Sequence, residues 1–243
     1  MSGRLYAIST GPGASDLITV RAARILGKLD CLYAPAGRKG ADSLALSIVR
    51  PWLSETTEIH TCHFPMSADN DAKAAVWDEV AGTLAREAQA GKQVGFITLG
   101  DAMLFSTWVW LLARLGRPDW LEIVPGVTSV LAIASAAALP LAMDQQSLAI
   151  VACNASEQHL RDTLQRHDCV VMMKVYGRFP AIKALLQECG VIDHAVMMAE
   201  ATLPGERCWR DLSAVPDDES LPYFSTILVN KQWDIRSESW NNS

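Results

Sequence analysis

The first 140 residues alternate short apolar runs with amphipathic stretches, a pattern that predicts strands alternating with helices. Runs such as 5–9 and 94–99 have the length of buried strands and are followed by glycine. The stretch 69–90 is the clearest helix, because apolar residues recur every four positions along one face and Gly91 follows. Strands joined through helices require right-handed crossovers, so this half of the chain predicts a mostly parallel sheet.

The pattern changes after about residue 140. Two further strand–helix pairs are followed by extended segments in succession, at 194–199, 208–212 and 223–230, with short connections. Consecutive strands of this kind are typical of an α+β arrangement with a mixed sheet. We therefore predict an α/β fold with two domains, an N-terminal one over 1–140 with a parallel sheet and a C-terminal one over 147–243.

Composition and charge narrow the class of protein. Half of the residues are hydrophobic, and 27 acidic against 21 basic residues give a net charge of -6, which argues against a nucleic-acid partner. The apolar stretch 123–142 is interrupted by Pro125, Gly126 and Pro140, so we expect a packed helix there rather than a membrane span. The six scattered cysteines and a start without a signal-peptide pattern predict buried free thiols in a soluble, cytoplasmic protein.

Three glycine-bearing loops follow predicted strands: Gly11-Pro12-Gly13, Leu99-Gly100-Asp101 and Pro125-Gly126-Val127-Thr128-Ser129. Glycine allows a sharp turn and a close approach of ligand to backbone, and ligands of open α/β sheets bind beyond the carboxyl ends of strands. The loops therefore predict a nucleoside-like ligand. Asp101 suits a ribose hydroxyl or an amine, and Thr128 and Ser129 suit a carboxylate or carbonyl. Each of these side chains also fits a simpler role as a helix cap.

Other site types are less well supported. The first glycine loop lacks the third glycine of the dinucleotide fingerprint, which disfavours a nucleotide-dependent oxidoreductase. His60 and His63 flank Cys62, but the spacing fits no standard zinc pattern, so we predict no metal site. Lys174 ends an apolar strand, a position where a lysine is unusual unless its charge has a partner or a function.

The loops together resemble a known family. Gly11-Pro12-Gly13 followed by Asp16-Leu17-Ile18-Thr19-Val20-Arg21-Ala22 resembles the opening of the tetrapyrrole methylase superfamily, the class III methyltransferases that use S-adenosylmethionine, and the two later loops lie where that superfamily has further motifs. Four segments resemble the subfamily that methylates C20 of precorrin-2 in cobalamin (corrin) biosynthesis. They are Phe64-Pro65-Met66, 99–107, Pro140-Leu141-Ala142 and Met173-Lys174.

The resemblance implies a homodimer of two-domain subunits, with the methyl donor S-adenosylmethionine in a cleft between the domains and a tetrapyrrole as acceptor. Carried over by motif, the donor-binding residues would be Pro12, Leu99, Gly100, Asp101, Leu104, Thr128 and Ser129, with Met173, Ala201 and Thr226 from the second domain. The acceptor carries several carboxylates, for which Arg38, Lys39 and Lys174 are the candidate partners. Because methyl transfer depends mainly on alignment, no catalytic side chain is assigned.

One position departs from the family pattern. Ala102 stands where the family usually has proline after Gly-Asp, and we expect a looser loop that still binds the donor. Two alternatives to a precorrin-2 methylase stay open. One is an enzyme of the anaerobic branch that acts on cobalt-factor II, and the other is a homologue that binds donor and tetrapyrrole without catalysis.

Overall fold

The computed structural model describes residues 3–36, 43–64 and 70–233. By its internal contacts the chain divides into two compact units, residues 1–129 and 130–243. The division falls after Ser129, the first residue of the helix Ser129–Ala137, so the rest of that helix belongs to the second unit, whereas the sequence prediction placed the boundary at about residue 140. Among the described residues, no helix is both long enough and apolar enough to cross a bilayer.

The first unit is built on a parallel sheet. Its strands, in chain order, are β1 (Arg4–Ser9), β2 (Cys31–Ala36), β3 (Glu58–His63), β4 (Gln93–Thr98) and β5 (Leu121–Val124). They lie side by side in the order β3-β2-β4-β1-β5, and every pair is parallel. The helices are α1 (Val20–Leu26), α2 (Leu44–Val49), α3 (Asn70–Gln89) and α4 (Trp108–Leu115). Apolar side chains are buried on both faces of the sheet, as expected for strands covered by crossover helices.

The second unit has a mixed sheet. After α5 (Ser129–Ala137), its elements are β6 (Leu148–Ala152), α6 (Glu157–Arg166), β7 (Cys169–Met173), α7 (Phe179–Glu188), β8 (Ala195–Ala199), β9 (Arg207–Trp209) and β10 (Ser225–Asn230). The order is β6-β7-β10-β8-β9, with only β6 and β7 parallel. The predicted α/β class, with a parallel sheet followed by a mixed one, is confirmed.

Three element predictions were wrong in detail. The sequence 103–115 predicts a helix, but α4 begins only at Trp108, because Phe105 has a φ of 48° and the chain turns before it can coil. Ser15 was expected to cap a helix running to about Leu26. It starts a separate 3-10 turn, and Thr19 caps α1 instead by accepting a hydrogen bond from Ala22 N at 3.2 Å. The strand expected over 208–212 is the short β9, after which Leu212 begins another 3-10 turn.

Candidate functional site

The carboxyl ends of β1 and β4 form a topological switch point in the first unit. These strands are adjacent and parallel, but the helices that follow them cover opposite faces of the sheet. The α1 residues Ala22 and Leu26 pack in one core with Ile8, whereas the α4 residue Trp108 packs in another with Phe96. The loops therefore diverge at this point, and a crevice of this kind is where open α/β sheets bind ligands.

Gly11 and Gly100 close the two strand ends against each other. Gly100 N donates to Gly11 O at 2.7 Å and Gly11 N donates to Gly100 O at 3.2 Å, an antiparallel bridge beyond two parallel strands. Both glycines have positive φ, 80° and 69° respectively. A residue with a side chain would be strained in this conformation, so the reversal from parallel to antiparallel pairing requires glycine at both positions.

Asp101 joins the second glycine loop to the third. Its Oδ2 accepts from Gly126 N at 2.8 Å, and its Oδ1 accepts from Met103 N at 2.9 Å. The alternative role of Asp101 as the cap of the following helix is wrong, because α4 begins seven positions later, at Trp108. Each carboxylate oxygen has a second lone pair, so the predicted contact to a donor hydroxyl or amine is compatible with these bonds.

The three glycine loops meet at a junction formed by Ser9, Gly11, Gly100, Asp101, Ala102 and Gly126. Gly126 fits there only because it has no side chain. A Cβ at this position would lie 2.5 Å from the Cβ of Ser9 and 2.7 Å from Gly100 O. The third loop is also tied to the start of α1, where the Thr19 hydroxyl donates to Pro125 O at 3.4 Å. The three glycine loops are therefore one interlocked structure.

Ala102, which departs from the family pattern, is held inside this junction. It is fully buried, and its N–H donates to the Ser9 hydroxyl at 2.9 Å. Ser9 ends β1 and is itself fully buried. Proline has no N–H, so this bond exists only because the residue is not proline. The loop was expected to be looser, but this buried hydrogen bond holds it in place.

The seven donor residues predicted in the first unit all lie on the three interlocked loops. Pro12 is on the first, Leu99, Gly100, Asp101 and Leu104 are on the second, and Thr128 and Ser129 are on the third. An added Cβ on Gly100 would lie 4.0 Å from Ser129 N, so the start of α5 is close to the bridge. Their role in donor binding stays a prediction.

The predicted second-unit residues lie at the same end of the three central strands of the mixed sheet. Met173 and Thr226 face each other across β7 and β10, and Ala201 lies two residues beyond the end of β8. The backbone at these strand ends is strained, since Lys174 and Glu200 have φ values of 61° and 52°. Non-glycine residues in this region of φ often mark functional sites. Lys174 follows β7 and is exposed, which accounts for a lysine after an apolar strand.

Of the basic residues near the predicted acceptor site, two lie outside the described part of the chain and a third binds the backbone. Arg38 and Lys39 lie outside the described residues, as do Pro65 and Met66. Arg178, another basic side chain near the end of β7, donates to the carbonyl oxygens of Cys153 and Ala155 at 2.6 and 3.0 Å. Its charge therefore has a structural role in holding the chain after β6.

The side chains around Cys62 have ordinary structural partners. His60 stacks on Tyr33 with ring centroids 4.7 Å apart and lies 3.7 Å from the Glu58 carboxylate. Cys62 is buried, and loss of hydration raises the pKa of its thiol to about 11. Within the described ranges, no three His, Cys, Asp or Glu side chains are grouped as metal ligands.

Sequence reasoning missed Ser9 and Thr19. Both present a hydroxyl to a loop that is distant in sequence: Ser9 to Ala102, and Thr19 to Pro125. The available signal for Ser9 was a small polar residue closing an apolar strand directly before a glycine loop. That signal does not identify the partner.

Comparison with known proteins identifies the family of the chain. The family model for tetrapyrrole (corrin/porphyrin) methylases matches residues 4–215. The chain is 68% identical to the cobalt-precorrin-2 C(20)-methyltransferase of Salmonella typhimurium, over 96% of this chain and 99% of that protein. It is 31% identical to a precorrin-2 C(20)-methyltransferase from Sinorhizobium sp., over 93% and 95%.

Solved structures show the same fold. A cobalt precorrin-4 methyltransferase is 22% identical and superimposes with a TM-score of 0.71, covering 96% of this chain and 95% of that one. A uroporphyrin-III C-methyltransferase from Thermus thermophilus, complexed with S-adenosylhomocysteine, is 25% identical with a TM-score of 0.64 and coverages of 93% and 97%.

Proposed function

The chain belongs to the tetrapyrrole (corrin/porphyrin) methylase family, and on that basis we propose that it transfers a methyl group from S-adenosylmethionine to C20 of cobalt-precorrin-2 in cobalamin biosynthesis. The observation that carries the proposal is the 68% identity to an enzyme with this activity, extending over nearly the full length of both proteins. The interlocked glycine loops at the switch point support it, because they offer close backbone approach where an α/β sheet binds its ligand.

The cobalt-containing acceptor is favoured over the metal-free one. Identity is 68% to the enzyme named for cobalt-precorrin-2 and 31% to one named for precorrin-2. The ring position is the same in both names. We further infer a homodimer that works in the cytoplasm, and we propose that Arg38, Lys39 and Lys174 bind the carboxylates of the acceptor.

The chemistry requires alignment more than it requires a reactive side chain. When bound, S-adenosylmethionine would supply a methyl group on a positively charged sulfur. An electron-rich ring carbon would attack the methyl carbon from the side opposite the sulfur, forming a C–C bond as the C–S bond breaks and S-adenosylhomocysteine leaves, and the methylated carbon would then lose its proton. The protein must therefore hold donor and acceptor in line, and such positioning can provide much of the acceleration. The bridge between Gly11 and Gly100 and the hydrogen bonds of Asp101 hold the proposed donor loops in one arrangement.

Two measurements test the proposal. Titration calorimetry should show binding of S-adenosylhomocysteine and none of NAD, and the reverse result would contradict a donor site. Transfer of a ¹³C-labelled methyl group should be faster to cobalt-precorrin-2 than to precorrin-2, with the label at C20 by NMR. Faster transfer to the metal-free acceptor would reverse the cobalt preference. Binding of S-adenosylhomocysteine without turnover of either acceptor would favour the non-catalytic alternative.

A further inference from the structure

Ser9 occupies an unusual place in the junction because it contacts both of the other loops. Its hydroxyl accepts the Ala102 N–H at 2.9 Å, and its Cβ lies 2.5 Å from the point where a side chain on Gly126 would begin. Ser9 and Ala102 are both fully buried, so water cannot replace either partner of the hydrogen bond. A buried N–H that loses its only acceptor is costly, and the backbone shifts to avoid that state.

We propose that Ser9 is a positioning residue for the methyl donor, acting through the N–H of Ala102 to fix the loop 100–103. The inference rests on the proposed function only in taking these loops as the donor site. Ser9 is not required to touch the donor, because its effect passes through the chain at Ala102.

The path from Ala102 to the rest of the site is short. The preceding residue, Asp101, binds Gly126 N through one carboxylate oxygen and Met103 N through the other. Gly100, one residue further back, forms the bridge to Gly11. A shift of Ala102 toward another acceptor would therefore move the carboxylate that joins the second loop to the third.

The chemistry of proline offers a direct test. In an Ala102→Pro variant there is no N–H to satisfy, so the Ser9 hydroxyl loses its function in the loop. The Ser9→Ala variant leaves the N–H buried without an acceptor and should weaken binding of S-adenosylhomocysteine about tenfold. Adding Ser9→Ala to Ala102→Pro should have almost no further effect. The two substitutions are thus expected to be strongly non-additive.

A matched control separates positioning from general stability. Thr57 is also buried, and its hydroxyl donates to Leu29 O at 3.1 Å at the opposite end of the same sheet. Thr57→Val should lower the melting temperature comparably to Ser9→Ala and leave the affinity for S-adenosylhomocysteine unchanged. Equal weakening of binding by both variants would overturn the proposal. So would an equal effect of Ser9→Ala with and without Ala102→Pro.

Two further readouts keep the test decisive. If Ala102→Pro does not fold, hydrogen exchange of the unliganded protein should still show faster exchange across 99–105 in Ser9→Ala than in the wild type, and unchanged exchange there would overturn the inference. Failure of the proposed function is recognised separately. Wild-type protein that binds S-adenosylhomocysteine but methylates neither acceptor would contradict the proposed function, and the effect of Ser9 on binding would remain measurable.

Discussion

At the scale of single residues, the junction depends on side chains that are absent or very small. Gly126 leaves room for Ser9, and Gly100 and Gly11 adopt conformations that other residues avoid. The only charged group in these contacts is Asp101, and both of its oxygens accept backbone N–H groups. A site made of backbone bonds has little freedom to adjust, so small changes in volume should have large effects.

Gly126→Ala tests this directly. The new Cβ would lie 2.5 Å from Ser9 Cβ and 2.7 Å from Gly100 O, both atoms of the packed interior. We expect a loss of stability of about 1–3 kcal/mol from overpacking. The affinity for S-adenosylhomocysteine should fall about tenfold or more, because the hydrogen bond from Gly126 N to Asp101 would be displaced. Calorimetry and thermal unfolding measure the two effects.

Gly82→Ala is the matched control. Gly82 lies inside α3, and an added Cβ there would meet nothing closer than Arg86 at 3.6 Å. The same substitution should therefore stabilise the protein by about 0.5–1 kcal/mol, because alanine favours a helix. Normal affinity in Gly126→Ala would show that the close contacts relax without consequence.

At this scale the sequence indicated the glycine loops but not their bonds. Gly11, Gly100 and Gly126 were recognisable as turn residues after strands, and the parallel sheet placed them at one edge. The bond from Ala102 to Ser9 joins residues 93 positions apart through a backbone N–H. No residue pattern marks a backbone donor, which is why Ser9 could not be predicted.

At the scale of elements, α1 has a cap with two functions. The Thr19 hydroxyl accepts from Ala22 N at 3.2 Å, which satisfies a free amide at the helix start, and donates to Pro125 O at 3.4 Å. The helix and the third glycine loop therefore share one side chain. Ser156 caps α6 in the same way through His159 N, but no described contact links its hydroxyl to the junction.

Thr19→Ala and Ser156→Ala should therefore differ in one respect only. Each should cost about 1 kcal/mol of stability through loss of a cap. Only Thr19→Ala should also weaken S-adenosylhomocysteine binding, by a few-fold, because it releases the loop at Pro125. Thr19→Ser should restore both properties. A binding defect in Ser156→Ala of the same size would contradict a specific role for the α1 cap.

Element positions could be predicted wherever the apolar pattern was decisive. The two sheets followed from the short apolar strands and their connections, whereas the start of α4 did not. There Met103 and Leu104 favour a helix, but the hydrogen bond from Met103 N to Asp101 and the positive φ of Phe105 hold the segment in turns. Local propensity was overridden by contacts of the folded site.

At the scale of the whole molecule, each unit has its own sheet and its own buried thiols. Burial raises the pKa of Cys31 and Cys62 in the first unit to about 11 and that of Cys153 in the second to about 12. The expectation of buried thiols holds for these three and for Cys169, whereas Cys189 is half-buried and Cys208 is exposed. A thiol that ionises less readily when folded makes stability depend on pH.

The direction of that dependence follows from proton binding. In the unfolded chain these thiols ionise near pH 9, while in the folded protein they keep their protons to about pH 11–12. Stability should therefore be independent of these groups below about pH 8 and fall between pH 9 and 12, by at most about 1.4 kcal/mol per pH unit for each thiol. Urea unfolding across this range measures it.

The variant with Cys31, Cys62 and Cys153 all replaced by alanine provides the comparison. It will be less stable at every pH, because core volume is lost. Its alkaline slope should be shallower than that of the wild type, and an unchanged slope would assign the alkaline loss to other groups.

The bridge between Gly11 and Gly100 has a consequence for how the protein is made. Every residue of the junction, from Ser9 to Gly126, belongs to the first unit, residues 1–129. Because the chain leaves the ribosome from its amino terminus and domains fold in that order, the whole junction emerges before any of the mixed sheet does. Until residue 126 emerges, however, Asp101 lacks the N–H of Gly126, and Ser9 lacks its contact with the third glycine loop. The junction can thus be completed only once its last glycine has emerged.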